Sequence, residues 1–107
     1  MSREPLGHFE LLVMLAVLRH RDEAYGVPIA QALEDTTGKR VSMASVYNTL
    51  ERLEEKGMLR SSMGEPTAER GGRAKRYFIV TAAGMSAVRE VKRALTTLWR
   101  GIPVHEV

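Results

Sequence analysis

A chain of 107 residues with 44% hydrophobic positions makes one domain with a real core, yet one small enough to gain from a second copy that covers more apolar surface. It contains no cysteine, which excludes a disulfide framework, a thiolate nucleophile and a sulfur-ligated zinc site. Its net charge of +3 permits a polyanionic partner without requiring one.

In chain order, Met1 to Gly7 reads as a loose arm whose Arg3 is solvated. From His8 to Arg19, HFELLVMLAVLR is apolar around nearly its whole circumference, the pattern of a central helix that its neighbours cover. Its longest apolar run, Leu11 to Leu18, is too short to span a bilayer and lacks the charged start of a secretory signal. No membrane partner and a cytoplasmic location are therefore expected. A polar turn leads to Tyr25-Gly26, which opens a second helix, VPIAQALEDTTG, with Pro28 in the first turn, where a missing N–H costs little, and Gly38 at its close. Lys39 and Arg40 follow in the turn.

Ser42 to Gly57, SMASVYNTLERLEEKG, is bounded by a capping serine and a glycine suited to a left-handed stop. Met43, Val46, Leu50 and Leu53 recur at three- and four-residue spacing and predict one buried stripe. Ala44, Ser45, Asn48, Glu51, Arg52 and Glu55 fall on the opposite side, with Tyr47 at the boundary. No acid occurs in the outward half before Glu51, so Ser45, Tyr47 and Asn48 suit a DNA groove. Taken alone, the stretch is equally an ordinary amphipathic surface helix. Placed after a short helix and a basic turn, it makes a helix-turn-helix, with Lys39 and Arg40 beside the phosphates.

Beyond Gly57 the pattern changes to strands. Met58 to Met63 and Arg73 to Val80 flank the turn-rich GEPTAERGG and predict a hairpin. Arg73, Lys75 and Arg76 make it a basic projection, with Arg73 and Lys75 on one face and Arg76 on the other. Behind a helix-turn-helix such a hairpin is a wing, and these three cations are expected to neutralise phosphates. Thr81 caps a last helix running to about Arg100, in which Val88, Val91, Leu95, Leu98 and Ile102 follow coiled-coil steps with Trp99 beside them. The seam covers only about two heptads, too few for a free-standing coiled coil, so it packs against a second copy or on the first helix.

The expected fold is mainly α with a small β-hairpin (α+β): a winged helix-turn-helix over residues 1–81 and a C-terminal dimerisation helix and tail over 82–107. An enzyme is not expected, since His8, His20 and His105 lie on separate segments and Glu54-Glu55 sit on a helix surface, so no acid–base pair converges. No metal or other cofactor is expected either.

The order of elements and several literal strings resemble the PadR family of bacterial transcriptional regulators, in its short form with a single C-terminal helix. Tyr25-Gly26, VYNTLERLEEKGML, GGRAKRYFIVT and the AAG that starts the last helix carry the likeness, which covers most of Leu6 to Leu98. The resemblance implies a homodimeric repressor on a palindromic operator of double-stranded DNA, released by a small aromatic effector such as a phenolic acid. By the same route Tyr47 resembles the family's recognition-helix tyrosine, Gly72, Arg73 and Lys75 its wing motif, and Trp99 a lining residue of an aromatic pocket. A winged-helix protein-interaction module without DNA binding is the alternative.

Overall fold

The computed structural model describes residues 6–65 and 74–103. Within them α1 (His8–His20), α2 (Gly26–Thr37) and α3 (Met43–Glu55) lead into β1 (Leu59–Met63), β2 (Arg76–Val80) and α4 (Ala82–Trp99). A 3-10 turn, Arg21–Glu23, joins α1 to α2.

Local chemistry sets the boundaries. Gly38 ends α2 with φ 72°, and its N–H bonds to the Glu34 carbonyl at 2.8 Å. The Ser42 hydroxyl accepts the Ser45 N–H at 3.0 Å and starts α3. At the far end Gly57 takes φ 79°, so its N–H reaches the Glu54 carbonyl at 2.9 Å and the Met58 N–H reaches Leu53 at 3.0 Å. These two bonds satisfy carbonyls that would otherwise be left over, and the buried Met58 and Leu53 side chains close the corner.

Thr81 starts α4 by accepting the Gly84 N–H at 3.0 Å, while its own hydroxyl donates to the Gly57 carbonyl at 2.6 Å. The glycine three residues on has a packing reason. A Cβ on Gly84 would collide with the Met58 carbonyl oxygen and come within 2.9 Å of the Met14 methyl, so only glycine lets the first turn of α4 rest on the α3–β1 link.

The strands pair antiparallel, Leu59 opposite Val80 and Met63 opposite Arg76. On its other side β2 is not bare, because the Phe78 N–H donates to the Ala24 carbonyl at 2.8 Å. This bond ties the entry of α2 to the hairpin. Phe78 points from this strand into a core built from Val13, Met14 and Val17, Ile29 and Leu33, Val46, Leu50 and Leu53, with Ala87 and Val88 of α4.

Three expectations are corrected here. Neighbours cover only one broad side of α1: Glu10, Val13, Met14, Ala16 and Val17 are buried, whereas Leu15 is 44% exposed. Met43, expected on the buried stripe of α3, is 39% exposed in the first turn of the helix, with its methyl near Gly26 of α2. Thr49 takes a buried place on that stripe instead. The return strand begins at Arg76, and Arg73 and Gly72 lie outside the described residues.

Candidate nucleic-acid interface

The N-terminal half of α3 presents an uncharged surface. Ala44, Ser45 and Asn48 are exposed, and the side chain of Asn48 bonds to no described residue. The Ser45 hydroxyl accepts a bond from the Ser42 hydroxyl at 2.9 Å, which orients it at the helix start. In the turn before α3, Lys39 and Arg40 are exposed and their side chains form no ion pair with a described residue. The Val41 N–H donates to a Glu34 carboxylate oxygen at 2.9 Å, which holds the turn to α2.

Tyr47 is turned differently from Ser45 and Asn48. It is half-buried, and its phenol lies against the backbone of Gly26 at the start of α2. The sequence placed it at the edge of the outward face; the packing lays its ring back on α2.

The wing divides its cations. Lys75 lies over the ring of Tyr25, 4.5 Å from the centroid, where the π face attracts the ammonium without neutralising it. Arg76 is engaged within the protein: its Nη2 donates to Glu54 at 2.6 Å, its Nε to the Ser61 hydroxyl at 3.2 Å, and its Nη1 stands 3.9 Å from Glu51. With two carboxylates beside it and its guanidinium over the Phe78 ring at 5.0 Å, Arg76 braces the hairpin against α3. The cause is tertiary, since it depends on the C-terminal half of α3 lying beside β2.

Sequence reading gave no role to a second ionic cluster. The Glu10 carboxylate accepts the Gly7 N–H at 2.9 Å through one oxygen, and Arg52 at 3.1 Å and Lys56 at 3.0 Å through the other. It both caps α1 and clamps the last turns of α3. One signal was present: Glu10 is the lone acid in an apolar run, and a buried acid needs donors. Burial pushes its carboxyl upward, but the bonds from Gly7, Lys56 and Arg52 outweigh it and hold it below the ordinary 4.5. The Ser61 hydroxyl, against a smaller opposing effect of burial and with help from Arg76, likewise lowers Glu54.

Both carboxylates are thus easier to ionise folded than unfolded. The stability they contribute is full above the unfolded value near 4.5 and disappears as pH falls through the lower folded values. Melting temperature is expected to be flat from pH 7 to about 5 and to fall steeply below about 4.5. A Glu10→Gln/Glu54→Gln variant should melt lower at pH 7 and lose less on acidification; a decline as steep as the wild type's would show that other groups set the acid limit.

A helix-turn-helix whose second helix is followed by an antiparallel hairpin braced against it is a winged helix. The chain belongs to the transcriptional regulator PadR-like family, whose family model matches residues 14–90. It is 38% identical over 92 residues to the transcriptional regulator Rv3488 of Mycobacterium tuberculosis, an alignment spanning 84% of this chain and 81% of that one. The fold is also similar to the crystal structure of a PadR family transcriptional regulator from Eggerthella lenta, with TM-score 0.66 and 28% identity over 85% of this chain and 77% of that one. A PadR-like transcription factor from Bacteroides fragilis matches with TM-score 0.72 and 26% identity, covering 88% and 85% of the two chains. The protein is a transcriptional regulator with an α+β winged-helix fold. No described helix is long and apolar enough to cross a membrane.

Proposed function

We propose that the protein is a homodimeric repressor that reads a palindromic operator, with residues 1–81 as the DNA-reading unit and 82–107 as the dimerisation helix and tail. The observation that carries this reading is the division of charge along α3. Its outward N-terminal half is exposed and uncharged, while Arg52 in its last turn and Lys56, which follows the helix, are drawn to Glu10 at the other end. Only the first two turns then suit a groove lined by phosphates, the docking expected of a recognition helix. Ser45 and Asn48 face base edges, Tyr47 stands at the phosphate side, and Lys39, Arg40 and Lys75 neutralise phosphates. Arg73 belongs to the same group by its place in the sequence, and Arg76 serves it indirectly by bracing the wing.

The terminal helix supports the dimer. Gly84, Ala87 and Val88 are buried and Val91 half-buried, but Leu95, Leu98 and Trp99 are 56%, 74% and 67% exposed; Ile102, expected to continue the same row, lies beyond the helix, which stops at Trp99 before Gly101 turns with φ 83°. An apolar row of this size on a single chain is an unfilled interface. A second copy fills it while setting two α3 helices about 34 Å apart, one helical turn of DNA. Trp99 with Leu95 offers an exposed apolar surface at the end of α4, which supports release by a small aromatic effector bound beside Trp99 at the edge of that contact.

Selection of bound fragments from genomic DNA tests the reading, because a recovered palindrome reports function, symmetry and half-site spacing at once. On that operator Asn48→Ala should weaken binding at one or two base pairs, by about 1–3 kcal/mol each, and leave other operator variants ranked as before. A uniform loss across variants would contradict base reading by Asn48. Absence of affinity for any duplex at low salt would favour a protein-interaction module instead.

A further inference from the structure

The start of α2, Tyr25-Gly26, is occupied from two sides. On Tyr25 rests the wing: the Lys75 ammonium sits over its ring, and the Tyr77 ring meets it edge-on, with centroids 5.5 Å apart and planes at 73°. Tyr77 in turn packs against Gly64, where an added Cβ would come 2.6 Å from a ring carbon, and the Gly64 N–H bonds to the Lys75 carbonyl at 2.7 Å. Both sides of the hairpin beyond its paired strands are therefore tied to one tyrosine. On Gly26 rests α3: a Cβ there would collide with the Tyr47 hydroxyl and stand 2.7 Å from Cζ.

We infer that Tyr25 and Gly26 form a common seat that sets wing and α3 relative to each other, Tyr25 as the positioning residue for Lys75 and Gly26 as that for Tyr47. This rests on the DNA-binding reading above. The physical case is a contrast along β2 and the residue before it. Arg76 is held by carboxylates, which cancel its charge, whereas Lys75 is held by a ring, which orders it and leaves the charge whole. A lysine ordered before DNA arrives loses less rotamer freedom on meeting a phosphate. The missing side chain at Gly26 does the same for Tyr47 by letting its ring lie on the backbone.

Two double-mutant cycles test the seat, using the genomically selected operator duplex and a random-sequence duplex as probes. Lys75→Ala should flatten the log–log salt dependence by about one unit on both duplexes. Tyr25→Leu should weaken binding about two- to fivefold when Lys75 is present and have no further effect in a Lys75→Ala background. Tyr25→Phe, which keeps the ring, should recover most of that loss. Gly26→Ala should weaken binding in the wild-type background and cease to do so with Tyr47→Ala, which frees the space. If Gly26→Ala alone fails to unfold cooperatively, the double variant must regain a cooperative transition.

Equal losses from Tyr25→Leu in both backgrounds, or tighter binding on removing the ring, would overturn the Tyr25 half. An unchanged slope in Lys75→Ala would overturn it too. Additive losses from Gly26→Ala and Tyr47→Ala, or a double variant that stays unfolded, would overturn the Gly26 half. In all these cases the wild-type protein still binds DNA, whereas failure of the wild type to bind either duplex at low salt overturns the DNA reading itself.

Discussion

Leu95→Glu/Leu98→Glu is expected to yield a monomer that holds a two-half-site operator about 10²–10⁴-fold more weakly than the wild type, with unchanged affinity for an isolated half-site. Both leucines are largely exposed in the single chain, so the substitutions open no cavity and leave the core of each protomer intact. Their effect falls on association. Full burial of a leucine contributes about 1.5–3 kcal/mol, and across a two-fold axis each change removes that contribution twice and sets like charges in a desolvated seam. Losing the second copy turns a linked pair of reading heads into a single one, and the linkage carries most of the affinity. Sedimentation equilibrium combined with titrations on one- and two-half-site duplexes would measure this. The melting temperature of the variant should also stop depending on protein concentration, because no dimer remains to be favoured by mass action. A variant that still dimerises, or that loses half-site and full-operator affinity equally, would move the interface away from α4.

Phe78→Ala should destabilise the fold by about 3–5 kcal/mol, a large part of the roughly 5–15 kcal/mol that holds a domain of this size together. The ring is fully buried and belongs to β2, whose backbone is also bonded to Ala24 at the entry of α2. Its loss therefore leaves a void where hairpin, α1 and the start of α2 meet, and close packing around the hairpin prevents easy collapse. Urea denaturation would show the midpoint falling with little change in slope. Trp99→Ala is the useful contrast. That side chain is 67% exposed, so its removal should barely alter unfolding of an isolated protomer and should instead weaken dimerisation and ligand quenching of indole fluorescence. A loss from Phe78→Ala no larger than that of a surface substitution would mean that β2 is not integral to the core.

Much of this architecture was legible before any coordinates, because helix ends and turns answer to neighbours in the chain. Ser42, Thr81 and Gly38 stop or start helices through bonds that span no more than four residues, and the three- and four-residue apolar steps located Val46, Leu50 and Leu53 on the buried side. The exposed seam of α4 was legible for a similar reason, since a stripe on a helix depends on spacing alone. Spacing could not say how far the core would reach along it, and burial stops at Val88, with Val91 only half covered.

What remained hidden is long-range pairing. Alternation could set Lys75 and Arg76 on opposite faces of the hairpin, but nothing local says that α3 supplies carboxylates to Arg76 while the start of α2 supplies a ring to Lys75. Glu10 meets partners 42 and 46 residues away. Caps, periods and literal motifs determined the elements, the winged-helix order and the family. Which charges are paired with carboxylates, which rest on a ring, and what lies against the backbone of Gly26 were decided only when the helices closed on the hairpin, because charge and close contact depend on distance in space and leave no period in the chain.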